Sequence, residues 1–251
     1  MIFWRTDNPL THAVADALKS CGIPSGHIRD FPADHYPASI FYGIMRGTGN
    51  IMHEMRRHGK EFWYIDNGYF DAEYVDKFGR KSMEGYFRFV KNDMIDTYTA
   101  EIPGHSIPQL GKFFLVMPPS SYTANFYDTC PADWSEIWAG LLAGCGFNVQ
   151  FRDKGAKTSL HEDLEKIKSL NGAVLAFNSM SVMSALGRGI PVYDTHGIFR
   201  NADEIFKGGR NFKPRQMYAF DDVEKFYLSK QFTLKQIANG ESSLSIKECA
   251  A

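Results

Sequence analysis

The residues of this chain with the clearest chemical potential are small polar side chains and cations that follow hydrophobic segments. Asn178, Ser179 and Ser181 come directly after a hydrophobic run, where a short helix is predicted to begin. The first turn of a helix carries unpaired backbone N–H groups and the positive end of the helix dipole. Two cations, Arg152 and Lys154, follow another predicted strand. This pattern favours a phosphorylated ligand.

The two cations flank Asp153, so a solvated loop with an ion pair is one interpretation of this segment. The functional interpretation is that Arg152 and Lys154 neutralise a diphosphate leaving group, since preorganised charges stabilise charge that develops in a reaction. No Asp-x-Asp pair stands at a strand end, which disfavours a diphosphate held by a metal. We therefore predict no metal site.

A glycine-containing turn follows a predicted strand near residue 44 and precedes a predicted helix. Its sequence is Arg46-Gly47-Thr48-Gly49, which lacks the third glycine of a dinucleotide fingerprint and the lysine of a P-loop. The turn is therefore a weak signal by itself. Its arginine adds to the signal, because a planar guanidinium can hold a phosphate through two hydrogen bonds.

Asp66 closes a run of bulky residues and precedes Asn67-Gly68, a dipeptide typical of turns. A carboxylate exposed at such a turn could act as the general base for a hydroxyl nucleophile. The alternative is an Asx turn, in which the aspartate only shapes the bend.

Further polar residues follow predicted strands, and these strands alternate with predicted helices along the chain. Open α/β sheets bind ligands at the carboxyl ends of their strands, which makes Ser120, Thr195, His196 and Gly197 candidate site residues. A lone loop histidine such as His196 is, in the alternative interpretation, structural. The predicted strands are residues 1–4, 38–44, 61–65, 85–90, 113–117, 149–151, 173–177 and 191–193; the predicted helices are residues 9–20, 50–58, 131–143, 160–168, 181–186 and 222–238.

Near-continuous apolar strands with intervening helices predict parallel sheets that are covered on both faces. A segment with two prolines and two glycines, residues 102–111, is predicted to be a linker. We therefore predict two Rossmann-like halves, a first domain over residues 1–108 and a second over residues 109–251, with a C-terminal helix packing back.

Composition limits the classes of function. A net charge of −1 argues against a generally basic nucleic-acid binder, although local groups of cations remain compatible with one. The four cysteines form no C-x-x-C pair, which argues against zinc and against a disulfide framework. No run of about eighteen apolar residues is present, so we expect no membrane partner and a cytoplasmic location.

The motifs of the second half resemble the nucleotide-sugar-binding domain of GT-B glycosyltransferases. They are PPS at residues 118–120, FRxK at 151–154, FNS at 177–179 and ALGxGIPV at 185–192. The first half, with YGxxRGTG at residues 42–49 and FWYIDNGYF at 62–70, is similar to small glycosyltransferase-like proteins of tailed bacteriophages. The tail, QFTLxxIxxG at residues 231–240, is similar to theirs as well.

The resemblance implies a GT-B-like fold with a cleft between its halves, no tightly bound cofactor and a UDP-sugar as co-substrate. Asp66 would deprotonate the acceptor hydroxyl in a metal-independent inverting transfer, with Arg46 as a second catalytic residue that points into the same cleft, and the retaining alternative stays open. The donor would be held by residues of the second half: Arg152, Lys154, Asn178, Ser179, Ser181, Thr195, His196, Gly197 and Ser120.

The acceptor would lie against the first half, where the candidate residues are Gly47, Thr48, Gly49, Asn67, Tyr69, Arg88 and Lys91. The phage-like motifs imply a hydroxylated base in double-stranded phage DNA as the acceptor and the host cytoplasm as the location. A surface polysaccharide is the alternative acceptor. A non-catalytic protein that binds a nucleotide or a sugar phosphate is a third interpretation, because fold does not imply function.

Overall fold

The computed structural model describes residues 1–32, 35–43, 47–75, 81–91, 104–105, 110–153, 155–177, 179, 181–196, 217–228 and 231–241. The chain divides into two compact units, one formed by Met1–Met94 with Tyr227–Ala251 and the other by Ile95–Phe226. Among the helices of the described residues, none is long and apolar enough to cross a membrane.

The first unit contains a five-stranded sheet with the order β2-β1-β3-β4-β5. Its first four strands run parallel, and the last strand is antiparallel to its neighbour. The strands are β1 (Ile2–Arg5), β2 (Ser25–His27), β3 (Ser39–Tyr42), β4 (Phe62–Val75) and β5 (Lys81–Lys91), and the connecting helices are α1 (Pro9–Lys19) and α2 (Thr48–Arg57).

Helix α1 begins with a cap and then buries one face. The Asn8 side chain accepts a hydrogen bond from the Leu10 backbone N–H, and Pro9 occupies the first helical position. Proline is favoured there because that position needs no N–H donor. The helix then packs Val14 and Leu18, both fully buried, against the core that β1 and β3 supply.

Strand β4 is longer than the sequence predicts. It pairs with β3 only as far as Ile65, and beyond that residue it continues along β5, with Asp66 opposite Arg88. The predicted turn at residues 66–69 is therefore wrong. Pairing with β5 is irregular between Asn67 and Asp71 and then resumes, so the Asn67-Gly68 segment forms an irregularity within the strand and not a turn that ends it.

The second unit contains a four-stranded parallel sheet with the order β10-β9-β7-β8 and a small antiparallel pair, β11-β6. Its strands are β6 (Gly104–His105), β7 (Phe113–Met117), β8 (Asn148–Phe151), β9 (Ala173–Ala176), β10 (Val192–Asp194) and β11 (Met217–Tyr218). Its helices are α3 (Ser121–Phe126), α4 (Pro131–Gly144), α5 (Leu160–Ser169), α6 (Ser181–Leu186) and α7 (Phe220–Leu228), whose last two residues are grouped with the first unit.

The core of the second unit follows from its apolar strands. Phe114 and Leu115 are adjacent residues of β7 whose side chains point to opposite faces of the sheet, and both are fully buried. Such two-sided burial is what near-continuous apolar strands require. The predicted α/β class with two Rossmann-like parts is confirmed.

The C-terminal segment returns to the first unit. Helix α8 (Leu234–Ala238) packs on α1, and Ile237 lies fully buried in the core of that unit. Cys21 Sγ on the first unit donates a hydrogen bond to the Ile237 carbonyl at 3.0 Å. Phe232 forms an isolated antiparallel β-bridge with Phe87 of β5. The C-terminal helix therefore packs back as expected, but α7 and α8 replace the single predicted helix over residues 222–238.

This packing differs from the predicted division, which assigned residues 109–251 as a whole to the second domain. The apolar residues of the C-terminal segment complete the core around α1, and for this reason the segment joins the first unit. The predicted boundary at residues 108 and 109 lies outside the described residues.

Candidate functional site

The strand order of the second unit places a topological switch point between β7 and β9. The chain passes from β7 to β8 on one side, and it then crosses back to β9 and β10 on the other side. In open α/β sheets the crevice outside the carboxyl ends of two such strands is the ligand-binding position. The described residues of the two loops at that crevice are residues 118–120, after β7, and residues 177 and 179, after β9.

Each of these loops carries a serine that the sequence singled out. Ser120 Oγ accepts a hydrogen bond from the Thr123 N–H at 3.2 Å, and Ser179 Oγ accepts one from the Ser181 N–H at 3.3 Å. Ser120 thus caps the short helix α3, and Ser179 contacts the backbone where the short helix α6 begins. The contact at Ser179 uses the hydroxyl as an acceptor, and within the described part of the chain its proton has no acceptor, so it can be donated to a ligand.

Thr195 and His196 follow β10, the strand beside β9. Thr195 Oγ1 accepts from the indole N–H of Trp134 at 3.3 Å, and its backbone N–H donates to the Ala176 carbonyl at 3.0 Å. The backbone N–H of His196 donates to Asp194 Oδ1 at 3.3 Å. These contacts hold both predicted residues at the carboxyl edge of the sheet.

The His196 ring is held by aromatic neighbours that sequence reasoning missed. It stacks on Phe177 with ring centroids 4.3 Å apart, and the Tyr127 ring lies 5.6 Å from it. Trp134 packs on Phe177 in turn, at 5.9 Å. The position of Phe177, at the end of a predicted strand and directly before Asn178-Ser179, is the sequence signal that could have indicated it.

The predicted diphosphate-binding residue Arg152 follows β8 and is engaged within the second unit. Its Nη1 bonds the carboxylate of Asp163 and donates to the Thr158 carbonyl at 3.0 Å. The Asp163 side chain is only 6% exposed, and it also accepts from the Thr158 hydroxyl at 2.9 Å. Arg152 therefore compensates a buried carboxylate, and this pairing reduces the positive charge that it can offer to a ligand.

Four of the predicted site residues lie outside the described part of the chain: Arg46, Lys154, Asn178 and Gly197. Of the remaining donor candidates, the structure brings Ser120, Ser179, Thr195 and His196 to one edge of one sheet. Ser181 is the first residue of α6.

The predicted catalytic residue Asp66 lies in the first unit. It is the first residue of β4 beyond the pairing with β3, and its side chain is half-buried. The neighbouring Gly43 N–H donates to the Ile65 carbonyl at 2.7 Å, which fixes the loop after β3 beside this point. Asp66 thus stands at the carboxyl edge of the parallel strands, although in a strand and not in a turn.

The acceptor candidates divide into two groups. Gly47 precedes α2 with a left-handed backbone (φ +89°), Gly49 lies in the first turn of α2, and Thr48 is fully buried and donates to the Gly43 carbonyl at 2.9 Å. Burial makes Thr48 a residue that shapes the loop rather than one that touches a ligand. The second group lies on the paired strands β4 and β5 and consists of Asn67, Tyr69, Arg88 and Lys91.

A pocket that sequence reasoning missed lies elsewhere in the first unit, at residues 6–9 and 27–29. The rule that ligands bind after strands could have found it, because residues 6–8 follow the first predicted strand. Within the described residues, no group of three or more His, Cys, Asp or Glu side chains is arranged to hold a metal ion.

No protein-family model matches this chain, and no curated protein matches it. Among solved structures, the chain is similar to Thermosulfurimonas dismutans KpsC, described as a beta Kdo 2,4 transferase. The two share 10% sequence identity and a TM-score of 0.44, over 95% of this chain and 97% of that chain. The chain's own strand order defines it as an α/β protein of two units, each built on a sheet with a switch point.

Proposed function

We propose that the chain is a glycosyltransferase that moves a sugar from a UDP-sugar to a hydroxyl acceptor, and that the second unit holds the donor. The observation that carries this proposal is the switch-point crevice between β7 and β9. Ser120 and Ser179 stand on its two sides, and Thr195 and His196 stand at the next strand end.

The chemistry of this edge suits a nucleotide sugar. Hydroxyl groups can donate to phosphate and to ribose oxygens without adding a charge that must be desolvated. Side chains that are already fixed lose little conformational freedom when a ligand binds. Thr195 is fixed by its hydrogen bond from Trp134, and His196 is fixed by its stacking on Phe177.

The negative charge of the diphosphate needs a cation. Because Arg152 is paired with Asp163, we propose Lys154 as the main group that neutralises the leaving diphosphate, with Arg152 in a supporting role. The sequence places Lys154 two residues beyond Arg152, in the same loop after β8. A preorganised cation at a developing negative charge stabilises the transition state without a metal.

We propose Asp66 as the general base, and we propose Arg46, which follows β3 in the sequence, as a second catalytic residue. The Asp66 carboxylate takes the proton from the acceptor hydroxyl, and the oxygen forms a bond to the anomeric carbon. The bond from that carbon to the diphosphate oxygen breaks, and UDP leaves with the electron pair. Attack opposite the leaving group inverts the anomeric configuration.

A hydroxylated base in double-stranded DNA is the acceptor that we propose, and a surface polysaccharide is the alternative. Arg88 and Lys91, both on β5, would contact DNA phosphates. The salt dependence of the binding affinity distinguishes the two acceptors, because binding to DNA releases counterions and weakens steeply as the salt concentration rises. We expect binding to a hydroxymethylated duplex to fall by about tenfold or more between 50 and 200 mM salt; salt-independent binding, or binding to polysaccharide alone, would favour the alternative.

Transfer itself is tested with Asp66→Asn in the full chain. We measure UDP release and the mass of the glycosylated acceptor, and we measure donor binding separately by calorimetry. We expect transfer to fall by about 100-fold or more, as for the loss of a general base, with donor affinity unchanged. Asp16→Asn, an exposed aspartate on α1, is the matched control and should leave transfer intact.

A non-catalytic protein that binds a nucleotide or a sugar phosphate is the second candidate. The observation that favours it is the pairing of Arg152 with Asp163, which leaves less positive charge for a departing diphosphate. Donor binding without any transfer by the wild-type chain would support this candidate. Transfer that persists in Asp66→Asn would remove the aspartate from the mechanism.

A further inference from the structure

The first unit has a pocket of about 440 Å³ at the carboxyl ends of β1 and β2. It is lined by residues 6–9, where the chain passes from β1 into α1, and by residues 27–29, at the end of β2. Its volume lies in the range of small-molecule sites, about 300–1,000 Å³. None of these residues belongs to the donor or the acceptor set described above.

A hydrogen-bonded network of Asp7, His27 and Arg29 shapes the pocket. Asp7 Oδ1 lies 2.9 Å from His27 Nε2, and the backbone N–H of Arg29 donates to His27 Nδ1 at 3.1 Å. Because Nδ1 accepts a hydrogen bond, the proton of the neutral ring is on Nε2 and is donated to Asp7. Both ring nitrogens are thus engaged, which makes His27 a positioning residue and not a base.

The charges of the pocket balance each other. Asp7 Oδ2 bonds Nη2 of Arg29, and the hydrogen bond from His27, followed by the charge of Arg29, lowers the pKa of the Asp7 carboxyl. Asp7 is therefore ionised at neutral pH. One carboxylate and one guanidinium face the pocket together, so it presents no net charge that would select an anion.

The beginning of α1 also offers little to an anion. Pro9 has no N–H, the Leu10 N–H bonds the Asn8 side chain at 2.8 Å, and the Thr11 N–H bonds the Asn8 carbonyl at 2.9 Å. The donors that usually bind phosphate at a helix start are thus already used within the helix. A phosphate would also meet the ionised carboxylate of Asp7.

We propose that this pocket binds a neutral polyhydroxylated ligand, namely a sugar unit. Adjacent hydroxyls of a sugar both donate and accept, which matches a carboxylate beside a guanidinium. Arg29 has five N–H donors, and among the described residues its contact with Asp7 uses Nη2 alone. The Asn8 amide oxygen accepts a hydrogen bond from the Leu10 N–H, so we assign its NH₂ group as a further donor to the sugar.

The apolar part of the lining fits the same ligand. Pro9 and Ile28 lie on the pocket wall and offer a surface for the C–H face of a sugar ring. Small-molecule sites commonly combine such apolar surface with a few fixed polar groups. This inference goes beyond the proposed function, because it requires neither a nucleotide nor the second unit.

The test uses the full chain labelled with ¹⁵N and four probes: the methyl α-glycosides of glucose, galactose and mannose, and inorganic phosphate. We expect at least one glycoside to shift the amide signals of residues 6–8 and 27–29 in a saturable manner. Arg29→Gln should weaken that binding by about tenfold or more, since hydrogen bonds to a charged group are lost. Phosphate should not shift these signals.

Arg57→Gln is the matched control. Arg57 is also an exposed arginine paired with a carboxylate, Glu54, and it lies outside the pocket. It should bind the glycoside like the wild type. Asp7→Asn preserves the shape of the side chain and should weaken the same binding, which provides a second test.

Three results would overturn the proposal. No glycoside shifts the pocket signals of the wild type; phosphate binds there more tightly than every glycoside; or both Arg29→Gln and Asp7→Asn bind the glycoside with unchanged affinity.

Discussion

The imidazole of His196 lies flat on the phenyl ring of Phe177, with centroids 4.3 Å apart and an angle of 10° between the ring planes. The two residues follow neighbouring parallel strands, β10 and β9, in which Asp194 stands opposite Ala176. The stack therefore ties together two strand ends at the edge where we place the donor. It also explains why a loop histidine has a fixed position.

His196→Ala is expected to lower the affinity for a UDP-sugar by about fivefold to tenfold, because it removes a fixed ring from the crevice and loosens the loop. Calorimetric titration of the full chain measures this change. The control is His58→Ala, since His58 also stacks on an aromatic ring, Tyr36, but in the first unit. Equal losses in both variants would contradict a donor site at His196.

Arg152→Ala is expected to destabilise the second unit by about 3 kcal/mol, because it leaves the buried carboxylate of Asp163 without its cation. Urea unfolding measures the free-energy change. Arg188→Ala removes a more exposed pair with Glu165 and should cost less than about 1 kcal/mol.

Replacing both partners, Arg152→Met with Asp163→Leu, should restore much of that stability, since no buried charge then remains. If Arg152→Ala unfolds as the wild type does but loses donor affinity, Arg152 serves the ligand rather than the fold.

Glu162 gives a pH-dependent contribution to stability at the start of α5. A hydrogen bond from the Ser159 backbone N–H, followed by the Ser159 side chain, lowers the pKa of the Glu162 carboxyl in the folded chain. A lowered pKa means that the stabilisation is present above the carboxyl's unfolded pKa. It is lost as the pH falls through the folded pKa.

Glu162→Gln isolates that charge, because glutamine can make the same capping-box hydrogen bond. We expect the wild type to be more stable than the variant at neutral pH, and the difference to vanish in acid. Urea unfolding across the acid range measures both curves. A difference that does not change with pH would show that the carboxylate charge makes no contribution.

Ile237→Ala is expected to destabilise the first unit by about 3 kcal/mol, since it empties a fully buried position on the C-terminal helix α8. Hydrogen exchange of the β1 and β3 amides measures this loss within that unit. Ile137→Ala makes the same substitution where the side chain is 58% exposed, and it should have little effect. Unchanged exchange in Ile237→Ala would contradict the packing of α8.

Much of the fold could be predicted because it depends on local patterns. The buried strands of the second unit are short apolar runs between helices, and β7 and α6 match their predicted bounds. Strand β2 was missed because Ser25–His27 lacks the apolar residues of a typical strand. Its pairing depends instead on close packing against β1, which is distant in sequence. Gly26 lies opposite Trp4, and any side chain at Gly26 would clash, because a Cβ there would lie 2.6 Å from the Trp4 ring.

The site could be predicted only where it follows from strand ends. Ser120, Ser179, Thr195 and His196 lie at strand ends as the sequence predicts, and their role in binding a donor stays a prediction. The pairing of Arg152 with Asp163 joins residues eleven positions apart through a side chain, and no local pattern indicates it. The extension of β4 through Asp66 likewise depends on its partner strand β5, which the local Asn67-Gly68 signal cannot reveal.

The most direct test of the proposed function is a calorimetric panel on the full chain with UDP, UDP-glucose, other nucleotide sugars, NAD and ATP. The proposal predicts micromolar binding of a UDP-sugar and weaker binding after Ser179→Ala and His196→Ala. Binding of NAD or ATP without any nucleotide sugar, or no binding of any compound in the panel, would contradict it.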